Sequence, residues 1–542
     1  MKKYNQINNA LGWLMFIIAA ATYLLTLEPT ASFWDCGEFI AQGYKLEVGH
    51  PPGNPIFMLV ARFFINFSSD PSTVAICVNT MSGLLSAATI LLLFWTITSL
   101  VERLVHRKGG EEYSLAEMLV IFGSGVVGSL AYTWSDTFWF SAVEGEVYAF
   151  SSFCTALVFW LILKWERRAD DPSSDRYLIL IAYVIGISVA VHLLNLLCIP
   201  AIVLVFYYRK WTNTNAKGSL LALLVSFGII VAILYGLVPG FVKVAQWFEL
   251  ACVNTLGMSF NMGVLIYLIL DIALYIWCIY ELYQQNSPAR IKMSFLLSIF
   301  FSGMLFIGDG WLLPVLLTAA LVLYLAKFCP RIPVRIFNIV IMSIFVIFIG
   351  YSSYALIIIR STADTPMDQN SPDNVFALAS YLNREQYGQR PLLYGQTFNA
   401  PIVYKVKGDI PRPYTKTGKK LYEKKVKASP DEPDRYEFTG YEETYVTSPE
   451  LDMLFPRMYD GTFASQYQEW IGMKGTQVKA TTRIDADGNT IETRTCIKPT
   501  FAENLQFFFD YQLNYMYWRY FMWNFAGRQN DIQGSGELNH GN

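Results

Sequence analysis

Charge is scarce in this sequence. Only 15% of its 542 residues are Asp, Glu, Lys or Arg, where a soluble protein would carry about a quarter. A basic excess is missing as well: the net charge of −2 rules out the broad positive field by which proteins hold nucleic acid. None of the eight cysteines forms a CxxC pair, so the usual zinc and dithiol motifs are excluded. Most lie in apolar runs and read as small core residues. The opening segment MKKYNQINNALGWLMFIIAAATYLL has no small-residue cleavage site before the next acidic stretch. It therefore reads as an uncleaved first span and not as a signal peptide.

Apolar residues take up the difference. They form 54% of the chain, mean hydropathy is +0.33, and aromatics reach 16%, a composition that suits membrane spans with interfacial belts. Runs long enough to cross a bilayer fall near 10–27, 72–101, 115–135, 149–165, 177–192, 196–208, 219–238, 263–283, 293–308, 312–327 and 336–359. That pattern predicts about eleven transmembrane helices. Basic residues orient them. Lys2 and Lys3, then Arg103, Arg107 and Lys108, then Lys164, Arg167, Arg168 and Arg176 fall on one side. So do Arg209, Lys210 and Lys217, Arg290 and Lys292, and Lys327, Arg331 and Arg335. The N-terminus is expected in the cytoplasm, and the chain is expected to leave its last span on the outer, periplasmic side of the inner membrane.

The stretch 33–57, FWDCGEFIAQGYKLEVGHPPGNPIF, follows the first span and is too polar to extend it. It belongs to an expected outer loop, 28–71, and carries Asp35, Glu38, Glu47 and His50 ahead of a Pro51-Pro52-Gly53 corner. If Asp35 begins a helix, Asp35 and Glu38 stand one turn apart on the same face. Two readings fit. One is a carboxylate pair whose pKa values are pushed apart for proton transfer. The other is an N-cap Asp with a capping-box Glu three residues later. The second half of the loop, PPGNPIFMLVARFFINF, reads as an amphipathic helix along the membrane surface.

Further polar groups are expected on the same face. Residues 134–148, WSDTFWFSAVEGEVY, contribute Asp136, Glu144 and Glu146, and the turn VHLLNLLCIP contributes His192 and Asn195. Ionisable groups at this depth are costly and usually functional, although a lone His more often only packs. Arg360 ends the last span, either as an anchor or as a cation for an anionic ligand. From there the composition changes: 360–374 reads as a polar linker. Residues 375–542 read as a mixed α/β domain, with a turn at Asp487-Gly488 and a Lys-rich hairpin at 416–427. Its aromatic segment FFFDYQLNYMYWRYFMWNFAGRQNDIQ suits an interfacial helix.

Acids in the first outer loop, more acids in the next and many spans together resemble the GT-C glycosyltransferases. The sequence shares with protein O-mannosyltransferases a His-Pro-Pro, here His50-Pro51-Pro52. It is most similar to a bacterial multispan family of formerly unknown function, related to the animal transmembrane O-mannosyltransferase acting on plexin-type receptor domains. The pieces that carry this are FWDCGEFIA, VGHPPGNPIF, AVEGEVYAF, VHLLNLLCIPA, REQYGQRPLLYG and MYWRYFMWNFAGRQNDIQ. The resemblance implies a GT-C-like membrane domain over 1–359 and an extracytoplasmic domain over 375–542. It implies a glycosyltransferase moving mannose from a polyprenyl-phosphate carrier to Ser or Thr of an exported protein, at the outer face and with inversion. Longer members of the family continue with further spans, so the chain is expected to be an N-terminal portion.

That chemistry needs a carboxylate to take the hydroxyl proton. Asp35 is the first choice for it and Glu38 the partner, although other protein O-mannosyltransferases have the two acids adjacent. Glu144 and Glu146 would hold sugar hydroxyls or a divalent cation, with Asn195 beside them in the donor site. His50, His192 and Arg360 would face the lipid phosphate. The sequence names no cofactor, and a divalent cation is the one candidate it leaves open. The alternatives from other classes are an ion-coupled transporter, which interrupted spans would suit, and a structural subunit of an envelope or secretion assembly.

Overall fold

The computed structural model describes residues 2–105, 113–308, 310–328, 333–388, 390–407 and 410–526. Arg107, Lys108 and Arg331 of the basic clusters, and the end of the aromatic segment beyond Ala526, lie outside these residues. The chain forms two compact units. One holds residues 1–384 and 424–436, the other 385–423 and 437–542.

The first unit is helical. Among the described residues, eight of its helices are long and apolar enough to cross a membrane: Lys2–Leu25, Pro71–Leu104, Leu115–Thr133, Val147–Arg167, Leu193–Lys210, Ala216–Thr255, Met262–Gln284 and Val334–Thr362. This makes the protein a multi-pass membrane protein. The eight coincide with eight of the eleven expected spans. The other three are the short helices Asp175–Val189, Pro288–Phe301 and Leu312–Phe328. At 1.5 Å per residue, the 15 residues of Asp175–Val189 reach about 22 Å, short of a hydrocarbon core of about 30 Å.

Ion pairs gather where the basic residues were expected to share a side. Arg167 bonds Glu102, Arg103 pairs with Glu166, Arg209 with Asp170, and Arg335 holds Asp175 through two nitrogens. Each joins the end of one helix to another. A capping box starts Leu115–Thr133, with Ser114 and Glu117 bonding reciprocally.

The short helix Asp175–Val189 lies against Val334–Tyr351 so closely that the backbones touch at two glycines. A Cβ on Gly186 would meet the Ile347 Cα and carbonyl oxygen at 2.7 Å, and one on Gly350 would meet the Gly186 carbonyl carbon at 2.4 Å. The same pair of helices delivers Ala190 and Tyr354 to the loop before Pro55, as described below.

The second unit contains a four-stranded sheet in the order Ile410–Pro413, Tyr404–Lys407, Thr476–Ile484, Thr490–Lys498. Its middle pair is parallel and its outer pairs are antiparallel. The last two strands are joined through Asp487-Gly488, with Gly488 at φ +94° and Asp485 accepting from the Asp487 and Asn489 amides. The Lys-rich run is one strand of a separate two-stranded sheet, Thr415–Lys424 with Tyr436–Tyr445. The aromatic segment is helical to Ala526, and Arg519 stacks on Tyr515 at 3.5 Å.

Gly186→Ala should lower the melting temperature although alanine is the better helix former. Overpacking at such a contact costs about 1–3 kcal/mol. Gly123→Ala, where a Cβ meets nothing within 4 Å, should be neutral or stabilising. Thermal melts of the two purified variants check the pair, and equal melting would show that the close crossing does not constrain the fold.

Candidate functional site

Asp35 stands at the N-cap position of the helix Cys36–Lys45, but its side chain accepts no capping hydrogen bond. Glu38, one turn on, does not reach back to the cap either. Its Oε1 accepts from the His50 backbone N–H at 2.6 Å and lies 2.9 Å from His50 Nδ1. A carboxylate can only accept here, so Nδ1 carries the proton and Nε2 faces the other way. His50 Nε2 lies 4.0 Å from Asp35 Oδ2. That is too long for a direct hydrogen bond, and one oxygen atom can bridge it. Asp35 is the open member of the cluster, with its side chain 58% exposed against 27% for His50 and 20% for Glu38.

The segment that follows the helix is held in place by distant residues. The helix ends at Leu46 with φ 54°, a left-handed conformation that costs a non-glycine residue about 1–2 kcal/mol. Arg360 Nε donates to the Leu46 carbonyl at 2.6 Å and Nη2 to the Lys45 carbonyl at 3.2 Å. Val48 exchanges backbone bonds with Met367 and Gln369. The Tyr381 hydroxyl donates to the Gly49 carbonyl at 2.6 Å and lies 3.3 Å from that of His50. Tyr354 approaches the carbonyls of Gly53 and Val189, and the Ile56 amide bonds Ala190. The Pro51–Pro52 peptide is cis, and a Cβ on Gly53 would strike the Tyr381 hydroxyl. The segment expected as a linker after residue 360 is thus part of the scaffold beneath His50.

Glu144 and Glu146 come to the same place. Cys36, beside Asp35, donates its thiol to Glu144 Oε2 at 3.5 Å. Glu146 accepts from the Val147 amide at 3.1 Å, at the start of the helix Val147–Arg167. Both acids are buried. Burial raises the Glu144 pKa, with hydrogen bonds from Ser32 and Cys36 opposing it. Burial also pushes Glu146 up to about 7, reinforced by the charges of Glu144 and Asp35. Glu38 and His50 move apart instead. Burial would raise Glu38, but the bonds from His50 outweigh it and hold the carboxyl below its ordinary 4.5. The hydrogen bond to Glu38 raises His50 above 6.5 against the effect of burial.

The other expected residues are placed differently. His192 caps the short 3-10 helix Leu193–Cys198, its Nδ1 accepting from the Leu194 amide at 3.2 Å, and its ring lies against Tyr148. Burial lowers its pKa, with Arg384 adding to the effect. Asn195 is buried 3.5 Å from Thr155 Oγ1. Arg360 supports the helix Cys36–Lys45 from behind. Arg384 was not anticipated. Its positive charge acts on both His50 and His192, and its amide bonds the carbonyl of Tyr381. Its signal in the sequence was only membership of REQYGQRPLLYG. Asp35, Glu38 and His50 also set three metal-ligand atoms within 4.8 Å of one another. A divalent cation held by Asp35 and His50 Nε2 would have Glu38 to fix the ring.

A multi-pass membrane protein with an acid–imidazole cluster on a loop between spans is the class these features define. Residues 35–215 match the family model described as Protein O-mannosyl-transferase TMEM260 N-terminal domain. Residues 388–509 match a family of unknown function, DUF8416. The chain is 26% identical over 236 residues to Protein O-mannosyl-transferase TMEM260 of Mus musculus, covering 43% of this chain and 31% of the mouse protein. It is 24% identical over 202 residues to Protein O-mannosyl-transferase tmem260 of Dictyostelium discoideum, covering 36% of this chain and 22% of that protein. The matches span less than a third of those relatives' length. No solved structure matches. Over residues 35–215 the chain is therefore related to the animal protein O-mannosyl-transferases.

The raised Glu146 pKa has a sign that can be tested. The folded state holds this proton more tightly than the unfolded chain, whose carboxyl titrates near 4.5. The stabilisation is complete below pH 4.5 and is lost as pH rises through about 7. Glu146→Gln should therefore gain thermal stability relative to the parent across that window and keep a constant advantage above it. Melts of both proteins from pH 4.5 to about 8 measure this. A difference independent of pH would place Glu146 at an ordinary carboxylate pKa.

Proposed function

We propose that this protein is a membrane glycosyltransferase that transfers a sugar, mannose in the first instance, from a polyprenyl-phosphate carrier to a Ser or Thr hydroxyl of an exported protein. The observation that carries this reading is the use of Asp35 and Glu38. They occupy the positions of a capping box and do not form one, whereas Ser114–Glu117 and Thr500–Glu503 do. Glu38 is instead bonded to His50 and Asp35 stands open 4.0 Å from the ring, in the segment where the similarity to protein O-mannosyl-transferases begins.

The roles follow from the geometry. Asp35 is exposed and accepts the proton of the attacking hydroxyl as its oxygen bonds to the sugar C1. The bond from C1 to the phosphate oxygen breaks on the opposite face, its electron pair leaves with the phosphate, and configuration inverts. Glu38 does not touch the acceptor. It fixes the His50 ring so that Nε2 and Asp35 Oδ2 address one oxygen between them. Glu144, Glu146 and Asn195 belong to the donor's sugar side. The phosphate needs positive charge as it leaves, which His50 and Arg384 supply, while His192, its Nδ1 taken by the Leu194 amide, offers a neutral Nε2–H. Arg360, the cation expected for this from the sequence, contributes by bonding the carbonyls of Lys45 and Leu46. No step requires a metal.

On this reading the chain crosses the inner membrane eleven times. The N-terminus is cytoplasmic, residues 28–71 lie on the outer face, and residues 375–542 are periplasmic. A cysteine introduced at Lys420 should react with an impermeant maleimide in intact spheroplasts. Reaction only after membrane disruption would reverse the orientation.

Purified protein incubated with polyprenyl-phosphate mannose and a Ser/Thr-rich acceptor should release lipid phosphate in proportion to the protein mannosylated. Asp35→Asn should lose about 10²–10⁴-fold in rate at unchanged stability, because the exposed Asp35 side chain makes no capping hydrogen bond that could be lost. Glu38→Gln should lose less, since its amide oxygen can still accept from His50. Turnover by Asp35→Asn at the parental rate would remove the base and with it this mechanism.

A further inference from the structure

The aromatic segment of the second unit takes no part in the transfer chemistry, and its surroundings change along its length. It starts as a docked helix. Thr500 and Glu503 form a capping box, and Phe507 is buried against Tyr467. Phe507, Tyr511 and Tyr515 then stack one turn apart, with ring planes 19° and 18° from parallel. Trp470, on the helix Ala464–Ile471, covers Tyr511 and Tyr515 at 4.8 and 4.5 Å. Past that contact the helix stands clear. None of the side chains of Phe508–Trp518 and Arg519–Ala526 is buried. Tyr517, Trp518, Tyr520, Phe521, Met522 and Phe525 are each 42–63% exposed.

Residues 516–526 read MYWRYFMWNFA, with one charge and one amide. At about 100° per residue, Tyr520, Phe521, Met522 and Trp523 point to all sides of the axis, so the helix has no polar face. A protein partner covers one face of a helix. One that is apolar all round needs an apolar medium all round. The two polar groups are adapted to such a medium. Asn524 returns its Nδ2 to the Phe521 carbonyl at 3.1 Å. Arg519 gives its Nε to the Tyr515 carbonyl at 3.2 Å. Its guanidinium lies 3.5 Å from the centre of the Tyr515 ring and 5.1 Å from that of Trp523, so aromatic faces shield the charge one turn before and one turn after. The Nη atoms have no partner among the described residues. A stacked guanidinium keeps that edge free for two parallel hydrogen bonds, the geometry phosphate accepts.

We infer that residues 516–526 insert into a phospholipid bilayer, with residues 520–525 among the acyl chains and Arg519 bonding a lipid phosphate. Tyrosine and tryptophan are the side chains of that level. A helix lying flat on the surface turns a charged face to water, and this one has none, so it enters the bilayer. Its 11 residues rise about 16 Å, roughly half of a hydrocarbon core, so this stretch enters without crossing. The lipid contact is separate from the transfer chemistry and does not depend on it.

The test uses the full chain in phosphatidylcholine vesicles. Tyr520→Cys, Phe521→Cys and Met522→Cys each carry a nitroxide, and the parent labelled in the same way gives the background of the native cysteines. The three positions are exposed, so the replacements remove no core contact. Each label should be relaxed by dissolved oxygen and should lose relaxation by a water-soluble nickel chelate. Access of the chelate to the labels would place the helix in water and overturn the proposal. A label closed to both reagents would mean a protein partner on that side, a further segment of this chain or a second copy, and would overturn it as well. The phosphate contact is read by solid-state NMR, with arginine isotope-labelled at its guanidinium carbon and with phosphate-free buffer, so that lipid is the sole source of phosphorus. The arginine signal lost in Arg519→Gln should be one that lipid phosphorus dephases. Loss of an undephased signal would show that Arg519 meets no phosphate and would overturn the proposal.

Discussion

The structure turns on a set of backbone carbonyls. From Lys45 to Gly53 the chain is neither helix nor strand for most of its course, so its carbonyls need partners from elsewhere. Arg360, Tyr354 and Tyr381 supply them from 301–332 residues away. Leaving one such buried group unpaired costs about 1–3 kcal/mol, so the loop has one conformation available while these donors are present. That conformation puts the His50 amide and ring on the same oxygen of Glu38. Glu38 is thereby withdrawn from helix capping, and Asp35 is left facing outward. A chain of ordinary hydrogen bonds thus turns a helix start into a polar site.

Which parts of this could be read from the sequence depends on range. Asp35, Glu38 and His50 lie within 16 residues of one another, and a helical turn brings the two acids together whatever surrounds them. Eight spans were legible because a long apolar run has few other uses. The short helices were not, because hydropathy measures how apolar a run is and not where its helix stops. The choice between capping and chemistry was also out of reach, since it depends on where His50 points, and that is decided by Tyr381. Arg384 is an exposed arginine beyond the last span, and nothing local marks it. Arg360 was expected as an anchor or as a cation for an anionic ligand, and the partners it has are carbonyls. Leu46 at positive φ left no trace either, because sequence reasoning looks for glycine or asparagine there.

The acids occupy contrasting environments, and the contrast has a use. Glu38 is held as an anion by His50, while Glu146 is buried with two acids as neighbours and titrates near neutrality. Pairs of carboxylates driven apart in this way commonly divide the work of a site. Here the separation also limits total charge. With Asp35, Glu38, Glu144 and Glu146 all ionised, a lipid phosphate approaching as an anion would be repelled by four negative charges.

Retaining a proton on Glu146, and raising Glu144 in the same direction, removes part of that repulsion without removing hydrogen-bonding capacity. A neutral carboxyl can both donate to a sugar oxygen and accept from a sugar hydroxyl, whereas a carboxylate can only accept. The cations are arranged to match. His50 is biased toward its charged form by Glu38, and the charge of Arg384 reaches both His50 and His192. His192, buried and bonded through Nδ1 to a backbone amide, is favoured in its neutral form. On the proposed function, the sugar is therefore met by acids whose burial favours the protonated form, and the phosphate by positive charge. Asp35 is then the acid left open to an incoming hydroxyl. The division follows from burial and from one imidazole's hydrogen bonds, and it requires no residue type that a soluble helix cap would not also contain.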